Sequence, residues 1–247
     1  MFDGPVCGMM LSYTVWGPPL LFLATAAWAA QPAATLPSTE SILARMHEAR
    51  TKYRAQLRAY QVVRDYQLFG KEQQSKSEVT AYIHYVPPDM QNFTIHKNKG
   101  ANMGEVIVRK ILEGESEILT NQSATDVSPA NYSFRFLRTD VLNHQPCYLL
   151  ELRPLRKDAK LLDGRIWIDA STYLILRMEG EPARAPSWWV RNIHVALDFH
   201  VVHGMWLQTA LRSSANVRLL GEHTLIAHDV EYKLGELAAA AAPVTRP

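Results

Sequence analysis

The spacing of apolar residues changes once along the chain, from a helical period to a strand period. Behind Ser38, a suitable N-cap, apolar positions first recur every three or four residues. These positions are Ile42, Leu43, Met46, Ala49, Tyr53 and Leu57. The pattern predicts an amphipathic helix of about five turns, and its single apolar stripe must lie against another element.

From Tyr60 onward apolar and polar residues alternate, which is typical of half-buried strands. Turn residues at 87–89, 143–145 and 203–204 separate successive runs. The eleven strands predicted in this way are residues 60–69, 77–85, 92–96, 132–136, 147–153, 165–169, 173–179, 192–201, 205–213, 216–220 and 223–232.

A second helix is predicted between the third and fourth strands. Asn102 and Glu105 have the spacing of a capping box, and Val108, Ile111 and Leu112 continue an apolar stripe behind them. Two helices with one apolar stripe each fit a curved sheet whose open side they cover. The fold class is therefore mostly β with helices (α+β), and the strands form a sandwich or a curved barrel.

The first 29 residues have the features of a secretory signal. Residues 20–27 are a short apolar stretch, and Ala27-Trp28-Ala29 is a small-x-small cleavage site. No basic residue precedes Arg45, so the alternatives are an uncleaved anchor or a start at Met9 or Met10. The apolar stretch is too short to anchor, and we expect export to the periplasm after cleavage near Ala29. The predicted organisation is a signal peptide at 1–29, a spacer at 30–37, one domain at 38–234 and an Ala-rich disordered tail at 235–247.

The charge balance argues against a nucleic-acid-binding protein, and the cysteine content argues against an internal disulfide and a thiol nucleophile. With 26 Lys+Arg and 24 Asp+Glu the formal net charge is +2, which is too balanced for a protein whose main partner is a nucleic acid. Of the two cysteines, Cys7 lies in the signal, so the mature chain has no internal disulfide. Cys147 lies in an apolar run, which favours a buried inert thiol over a nucleophile.

The sequence contains no recognisable motif for catalysis or metal binding. It lacks a nucleophile elbow, a Walker A loop, a dinucleotide glycine fingerprint and an HExxH helix, and its histidines lack zinc-ligand spacing. Arg153, Arg156, Lys157 and Lys160 could bind phosphates, although a solvated loop is the simpler interpretation. We therefore expect no enzymatic activity, no metal and no cofactor.

A surplus of large apolar residues is the strongest functional signal of the strands. The predicted inward positions are Ile83, Tyr85, Phe93, Ile95, Tyr132, Phe134, Phe136, Leu150, Leu152, Ile166, Ile168, Leu174, Leu176, Leu197 and Phe199. They fit the packed core of a sandwich. They fit equally well the wall of a cavity between a curved sheet and its helices. Composition does not separate these two interpretations.

Three stretches, taken together, have the character of one protein family. They are the opening helix with VPPDMQNF at 86–93, then GRIWID at 164–169 with YLILRMEG at 173–180, and finally GMWL at 204–207 with the closing DVEY at 229–232. In these stretches the chain resembles the outer-membrane lipoprotein-sorting (LolA/LolB-like) superfamily, and in particular its uncharacterised exported relatives. The resemblance covers nearly all of residues 38–234.

The resemblance implies an unclosed antiparallel β-barrel of about eleven strands covered by α-helices, with a hydrophobic cavity for acyl chains. The inward residues named above would line that cavity. Val108, Ile111 and Leu112 would belong to a lid helix. Trp188 and Trp189 would lie at the cavity rim, with a packing pair at one end of the barrel as the alternative.

The function implied by the resemblance is that of a periplasmic binding protein or chaperone. Its partners would be acyl chains of lipids or lipoproteins and a membrane-associated donor or acceptor protein, and it would be a monomer. In the carrier an arginine immediately before the proline helps to latch the lid, whereas this chain has Val86 before Pro87. The alternative is a non-catalytic envelope-stress regulatory or scaffold module of the same fold that binds a protein or lipid signal.

Overall fold

The computed structural model describes residues 36–71, 74–100, 102–186, 188 and 190–235. The predicted signal peptide, the spacer up to residue 35 and the tail from residue 236 lie outside the described residues. The helices are α1 Thr39–Arg54, α2 Asn102–Thr120 and α3 Gln122–Thr125. The strands are β1 Tyr60–Phe69, β2 Ser75–Val86, β3 Met90–Gly100, β4 Tyr132–Leu142, β5 Gln145–Pro154, β6 Leu162–Asp169, β7 Ile175–Pro182, β8 Val190–Val202, β9 Met205–Val217 and β10 Gly221–Leu234.

Within the described residues the ten strands form one antiparallel sheet in the order β3-β2-β1-β10-β9-β8-β7-β6-β5-β4. β1 pairs with β10, which brings the first and last strands together near the middle of the sheet. β3 and β4 lie at opposite edges and the sheet does not close between them. The predicted fold class, an unclosed antiparallel barrel with helices, is confirmed.

The strand count differs from the prediction at residues 216–220. The predicted tenth strand is the end of β9 followed by a tight turn, in which the amide of Leu220 donates to the carbonyl of Val217 at 3.0 Å. Leu219 has a φ angle of 72°, in the left-handed region outside the strand conformation, and Gly221, the first residue of β10, has a φ of 81°. The apolar side chains of this turn imitate strand alternation, and that is why the sequence gives one strand too many.

Helix α1 begins where the sequence predicts and ends earlier. The side chain of Ser38 accepts a hydrogen bond from the amide of Ser41 at 3.2 Å, as an N-cap should. Ile42 and Met46 are buried at 0% and 1% exposure, so the predicted stripe does face the sheet. The helix ends at Arg54, and Leu57 lies in the following turn rather than on the helix.

Helix α2 lies over β1, β2 and β3 and packs closely against them. Val108 and Leu112, on the face of α2 that meets the sheet, are fully buried. Ile111 of the same helix is partly buried and packs against the apolar residues around them. Gly104 sits so near β2 that a Cβ atom there would lie 2.2 Å from Oγ of Ser77. The glycine therefore sets how near α2 can approach the sheet.

Among the described residues, two apolar clusters occupy the inner face of the sheet. The α2 cluster consists of Val62, Tyr66, Leu68, Val79, Ala81, Ile83, Val108, Leu112, Leu211, Leu225 and Ala227. The α1 cluster consists of Ile42, Met46, Val127, Tyr132, Leu150, Leu152, Leu161, Ile166, Ile168 and Ile175. Each helix thus covers its own part of the sheet.

We expect Gly104→Ala to lower the free energy of unfolding by about 1–3 kcal/mol, the usual cost of overpacking. Gly114 lies in the same helix with nothing within 4 Å of a built Cβ, which makes it a matched control. Gly114→Ala should be neutral or stabilising by about 0.5–1 kcal/mol, because alanine favours helix. Urea unfolding of the three proteins checks this, and equal effects at the two glycines would contradict the close approach of α2.

Candidate ligand-binding cavity

A cavity of about 480 Å³ lies between α1, the end of α2 and the sheet. Its size falls within the range of small-molecule sites, roughly 300–1,000 Å³. Leu57 beyond α1, Ile118 and Leu119 on α2, and Val127 after α3 contribute apolar side chains to its walls. The cavity therefore occupies the part of the inner face that neither helix covers.

The floor of the cavity is aromatic and aliphatic. Phe199 on β8 and Trp206 on β9 stack with ring centroids 5.0 Å apart and planes 18° apart. The indole N–H of Trp206 donates to the carbonyl of Ile175 at 2.9 Å, so its one polar group is satisfied within the sheet. Ile175 and Met178 on β7 complete this apolar floor.

The β2–β3 turn forms another wall. The hydroxyl of Tyr85 donates to the carbonyl of Pro88 at 2.8 Å, which fixes the Pro87-Pro88 segment against the end of β2. Tyr60 lies beside Tyr85, with ring centroids 5.2 Å apart. Burial raises the pKa of Tyr60 well above its ordinary value, so this phenol is neutral at physiological pH.

A buried arginine joins α1 to the loop after α3. Arg50 donates to the carbonyl of Val127 at 2.8 Å and to the carboxylate of Asp126 at 2.5 Å. Arg54, one turn further along α1, donates to the same carboxylate at 2.8 Å. Burial alone would raise the pKa of Asp126, but the two guanidinium groups outweigh it and hold this pKa below its ordinary value.

A second buried arginine lies on β1. Arg64 pairs with Glu115 of α2 at 3.0 Å and with Asp229 of β10 at 2.5 Å, and the hydroxyl of Tyr232 also donates to Asp229. The side chains of Arg64 and Asp229 are 9% and 1% exposed. Burial by itself would lower the pKa of Arg64, but the two carboxylates raise it well above its ordinary value. The guanidinium is therefore charged and ties α2 to the centre of the sheet.

The described lining of the cavity contains no histidine, cysteine, serine or lysine. No group of three or more His, Cys, Asp or Glu among the described residues could hold a metal ion. Among those same residues, no helix has the length and apolar character needed to cross a bilayer.

The structure places most of the predicted inward residues in the two packed clusters. Tyr85 and Phe199 line the cavity. Ile83 belongs to the α2 cluster, and Phe93, Ile95 and Leu197 pack against it. Tyr132, Leu150, Leu152, Ile166 and Ile168 belong to the α1 cluster, and Phe134 and Phe136 pack against it. Most of the predicted inward residues therefore pack within or against these two clusters.

Two residues predicted to face inward, Leu174 and Leu176, do not follow the predicted alternation along β7. Leu176 packs on the other face of the sheet, in a small group with Cys147, Leu149 and Trp167. A register shift between Trp167 and Ile168, where β6 pairs with β7, breaks the alternation that the sequence suggests. Leu174 is 2% exposed but precedes β7.

The predicted lid and rim residues lie away from the cavity. Val108 and Leu112 belong to the α2 cluster, and Ile111 packs against it. The cavity is lined instead by later residues of the same helix, Glu115, Ile118 and Leu119. Trp188 is 75% exposed, and the guanidinium of Arg218 at the β9–β10 turn lies 5.5 Å from its ring centre. It does not line the cavity, whereas Trp189 lies outside the described residues.

Two further sequence interpretations concern reactive or basic residues. Cys147 is buried, and burial raises the pKa of its thiol, as expected for an inert side chain. In the basic loop, Arg156 donates to the side-chain oxygen of Asn131 at 2.7 Å and Lys160 pairs with Glu117 at 2.6 Å. These contacts fasten the loop to neighbouring elements.

Sequence reasoning missed the arginines that line the cavity, although a signal was present. Arg50 stands four residues after Met46 and eight after Ile42, on the apolar stripe of α1. Arg64 likewise occupies an inward position in β1, between Val62 and Tyr66. A charge at an apolar position requires a buried partner, and that pattern marks both residues as unusual.

Comparison with solved structures finds matches at low identity. A LolA superfamily protein from Nitrosomonas europaea is 12% identical with a TM-score of 0.35, over 81% of this chain and 95% of that one. A DUF1329 family protein from Desulfovibrio piger is 12% identical with a TM-score of 0.40, over 78% and 90%. An outer-membrane lipoprotein-sorting protein domain from Vibrio parahaemolyticus is 11% identical with a TM-score of 0.37, over 76% and 91%.

No protein-family model and no curated protein matches the sequence.

We expect Arg64→Met to lower the free energy of unfolding by about 3–5 kcal/mol, because it leaves the buried charge of Asp229 unpaired. The matched control is Arg135→Met, which removes an arginine that is 68% exposed and paired with Glu151. That change should cost no more than about 1 kcal/mol. Urea titration measures both, and a cost at Arg64 as small as at Arg135 would contradict a buried charge network.

The lowered pKa of Asp126 predicts a specific loss of stability in acid. A carboxyl group whose folded pKa is depressed contributes stability above its unfolded pKa, near 3.8, and loses it as the pH falls through the folded value. The difference in melting temperature between the parent and Asp126→Asn should therefore shrink as the pH falls below about 4. Asp89→Asn, at an exposed turn, is the charge-matched control. A difference that does not change with pH would refute an ionised Asp126 in these pairs.

Proposed function

We propose that this protein is a periplasmic binding protein or chaperone that holds an acyl chain of a lipid or lipoprotein in the cavity. The observation that carries the proposal is the apolar floor of Ile175, Met178, Phe199 and Trp206 beneath a cavity of about 480 Å³. The cavity is partly open to solvent, so a ligand can reach this floor. The resemblance of the sequence to the lipoprotein-sorting superfamily agrees with this function.

The driving force is burial of hydrocarbon. Each methylene that leaves water contributes about 0.8 kcal/mol, so a chain of moderate length binds without any covalent step. The aromatic rings of Phe199 and Trp206 offer flat apolar surface. The one polar group on these rings, the indole N–H of Trp206, is already bonded within the sheet. Selection for chain length would follow from the size of the cavity rather than from hydrogen bonds.

A carrier also needs a donor and an acceptor. We propose a membrane-associated protein or the membrane itself in these roles, with transfer toward the outer membrane, and a monomeric carrier between them. Export by the sequence at 1–29 would place the protein in the periplasm, where both membranes are accessible.

Mass spectrometry of an organic extract of the purified mature protein is the direct test. We expect a co-purified phospholipid, fatty acid or lipopeptide at close to one molecule per protein. If no lipid is extracted and a fluorescent fatty acid does not bind, the carrier function is wrong. A regulatory or scaffold module of the same fold would then be the better hypothesis.

A matched pair of variants on α2 tests whether the cavity is the binding site. Ile118 lines the cavity and is 37% exposed, so Ile118→Asp should fold yet weaken fatty-acid binding by about tenfold or more, a loss of at least 1.4 kcal/mol. Val106 is 54% exposed on the same helix and is not part of the cavity lining. Val106→Asp should leave affinity unchanged in fluorescence titrations. Equal affinities for the two variants would place the ligand elsewhere.

A further inference from the structure

The charges around the cavity are unevenly distributed. On the α1 side Arg50 and Arg54 share the single carboxylate of Asp126, which leaves one positive charge in excess. On the α2 side the positive charge of Arg64 faces both Glu115 and Asp229. The cavity therefore has a cationic end at α1, although these six charges together, with Asp229 behind the lining, sum to zero.

Arg54 keeps capacity for a second anion. A guanidinium carries five N–H donors in a planar fork that fits carboxylate or phosphate oxygens. Its bond to Asp126 uses Nη2, and the side chain is 47% exposed at the cavity. Arg54 can therefore meet a ligand anion without giving up its existing partner.

Arg50 supplies an independent observation. Its side chain is 9% exposed, and its Nε has no hydrogen-bond partner among the described residues. A buried donor without an acceptor is costly, so an acceptor group on a ligand at this end of the cavity would be favoured. Asp126 accepts from the other end of the same guanidinium and leaves this N–H unmatched.

The cationic end adjoins the apolar floor. The guanidinium carbon of Arg50 lies 5.7 Å from the ring centre of Trp206, which in turn stacks on Phe199. A ligand with an anionic head at Arg50 and Arg54 would place its hydrocarbon directly over these rings. The arrangement of charge beside an apolar surface is that of an amphiphile site.

We propose that the cavity selects an amphiphile with an anionic headgroup, carboxylate or phosphate, which binds at Arg54 and Arg50 while its chain lies on the aromatic floor. This inference rests on the proposed function, because it names the class of lipid that the cavity takes. Arg54 is the specificity-determining residue, and Arg50 is held in place beneath it by Asp126 and Val127.

Calorimetric titration of the mature protein at pH 8 tests the inference with dodecanoate, dodecyl phosphate, dodecanol and dodecyltrimethylammonium. The parent should bind the two anions about tenfold or more tightly than the alcohol, and the cation most weakly. Inorganic phosphate alone should not compete, because it lacks the chain. Competition by inorganic phosphate, or binding of the cation as tightly as the anions, would overturn the assignment.

Single substitutions test which side chains produce the preference for anionic ligands. Arg54→Gln should remove most of the preference for anions and leave the affinity for dodecanol unchanged. Lys52→Gln removes the same charge from an exposed position on α1 and should keep the preference. Asp126→Asn, confirmed as folded by circular dichroism, should instead tighten the binding of dodecanoate, since it removes a competing carboxylate. No change at Arg54, or weaker binding in folded Asp126→Asn, would refute the role of this end of the cavity.

The results separate the two proposals. If the parent binds dodecanoate and dodecanol equally well, the anionic headgroup is wrong and the acyl-chain function stands. If it binds neither, the acyl-chain function fails, and the headgroup inference fails with it.

Discussion

The inner face of the sheet is apolar over most of its width, and water must be excluded from it. In a closed barrel the sheet would cover itself, but β3 and β4 stay apart and helices must do the covering. In the part of the chain that the structure describes, the two long helices α1 and α2 leave part of the ten-stranded sheet uncovered. The uncovered remainder, between the α1 and α2 clusters, is the cavity, so the site is a consequence of the sheet remaining open.

Buried charge ties each long helix to the rest of the fold beside the cavity. A buried arginine costs several kcal/mol unless carboxylates meet it, and there is one near each helix, Arg50 within α1 and Arg64 on β1 facing α2. Arg50 is neutralised by Asp126, which brings the segment after α3 onto α1. Arg64 is neutralised by Glu115 and Asp229, which joins α2 to the first and last strands. The same ion pairs that hold the helices therefore also form the polar boundary of the apolar floor.

This arrangement gives the cavity two different surfaces. The floor is made of aromatic and aliphatic side chains whose backbone and indole polar groups are bonded within the sheet. The walls carry fixed charges in unequal numbers at the two ends. An apolar chain recognises the first surface by area, and a charged headgroup recognises the second by geometry and sign.

The sequence by itself determined the two long helices and most of the strands, because local periodicity and turn chemistry act over a few residues. The N-cap at Ser38 and the burial of Val108 and Leu112 followed from spacing alone. Tertiary structure decided which apolar residues pack and which face open space, since that depends on where two helices end over a sheet. Leu176 changed face because of a register shift that no alternation reveals. The pairing of Arg50 with Asp126, 76 residues away, exists only in the folded chain.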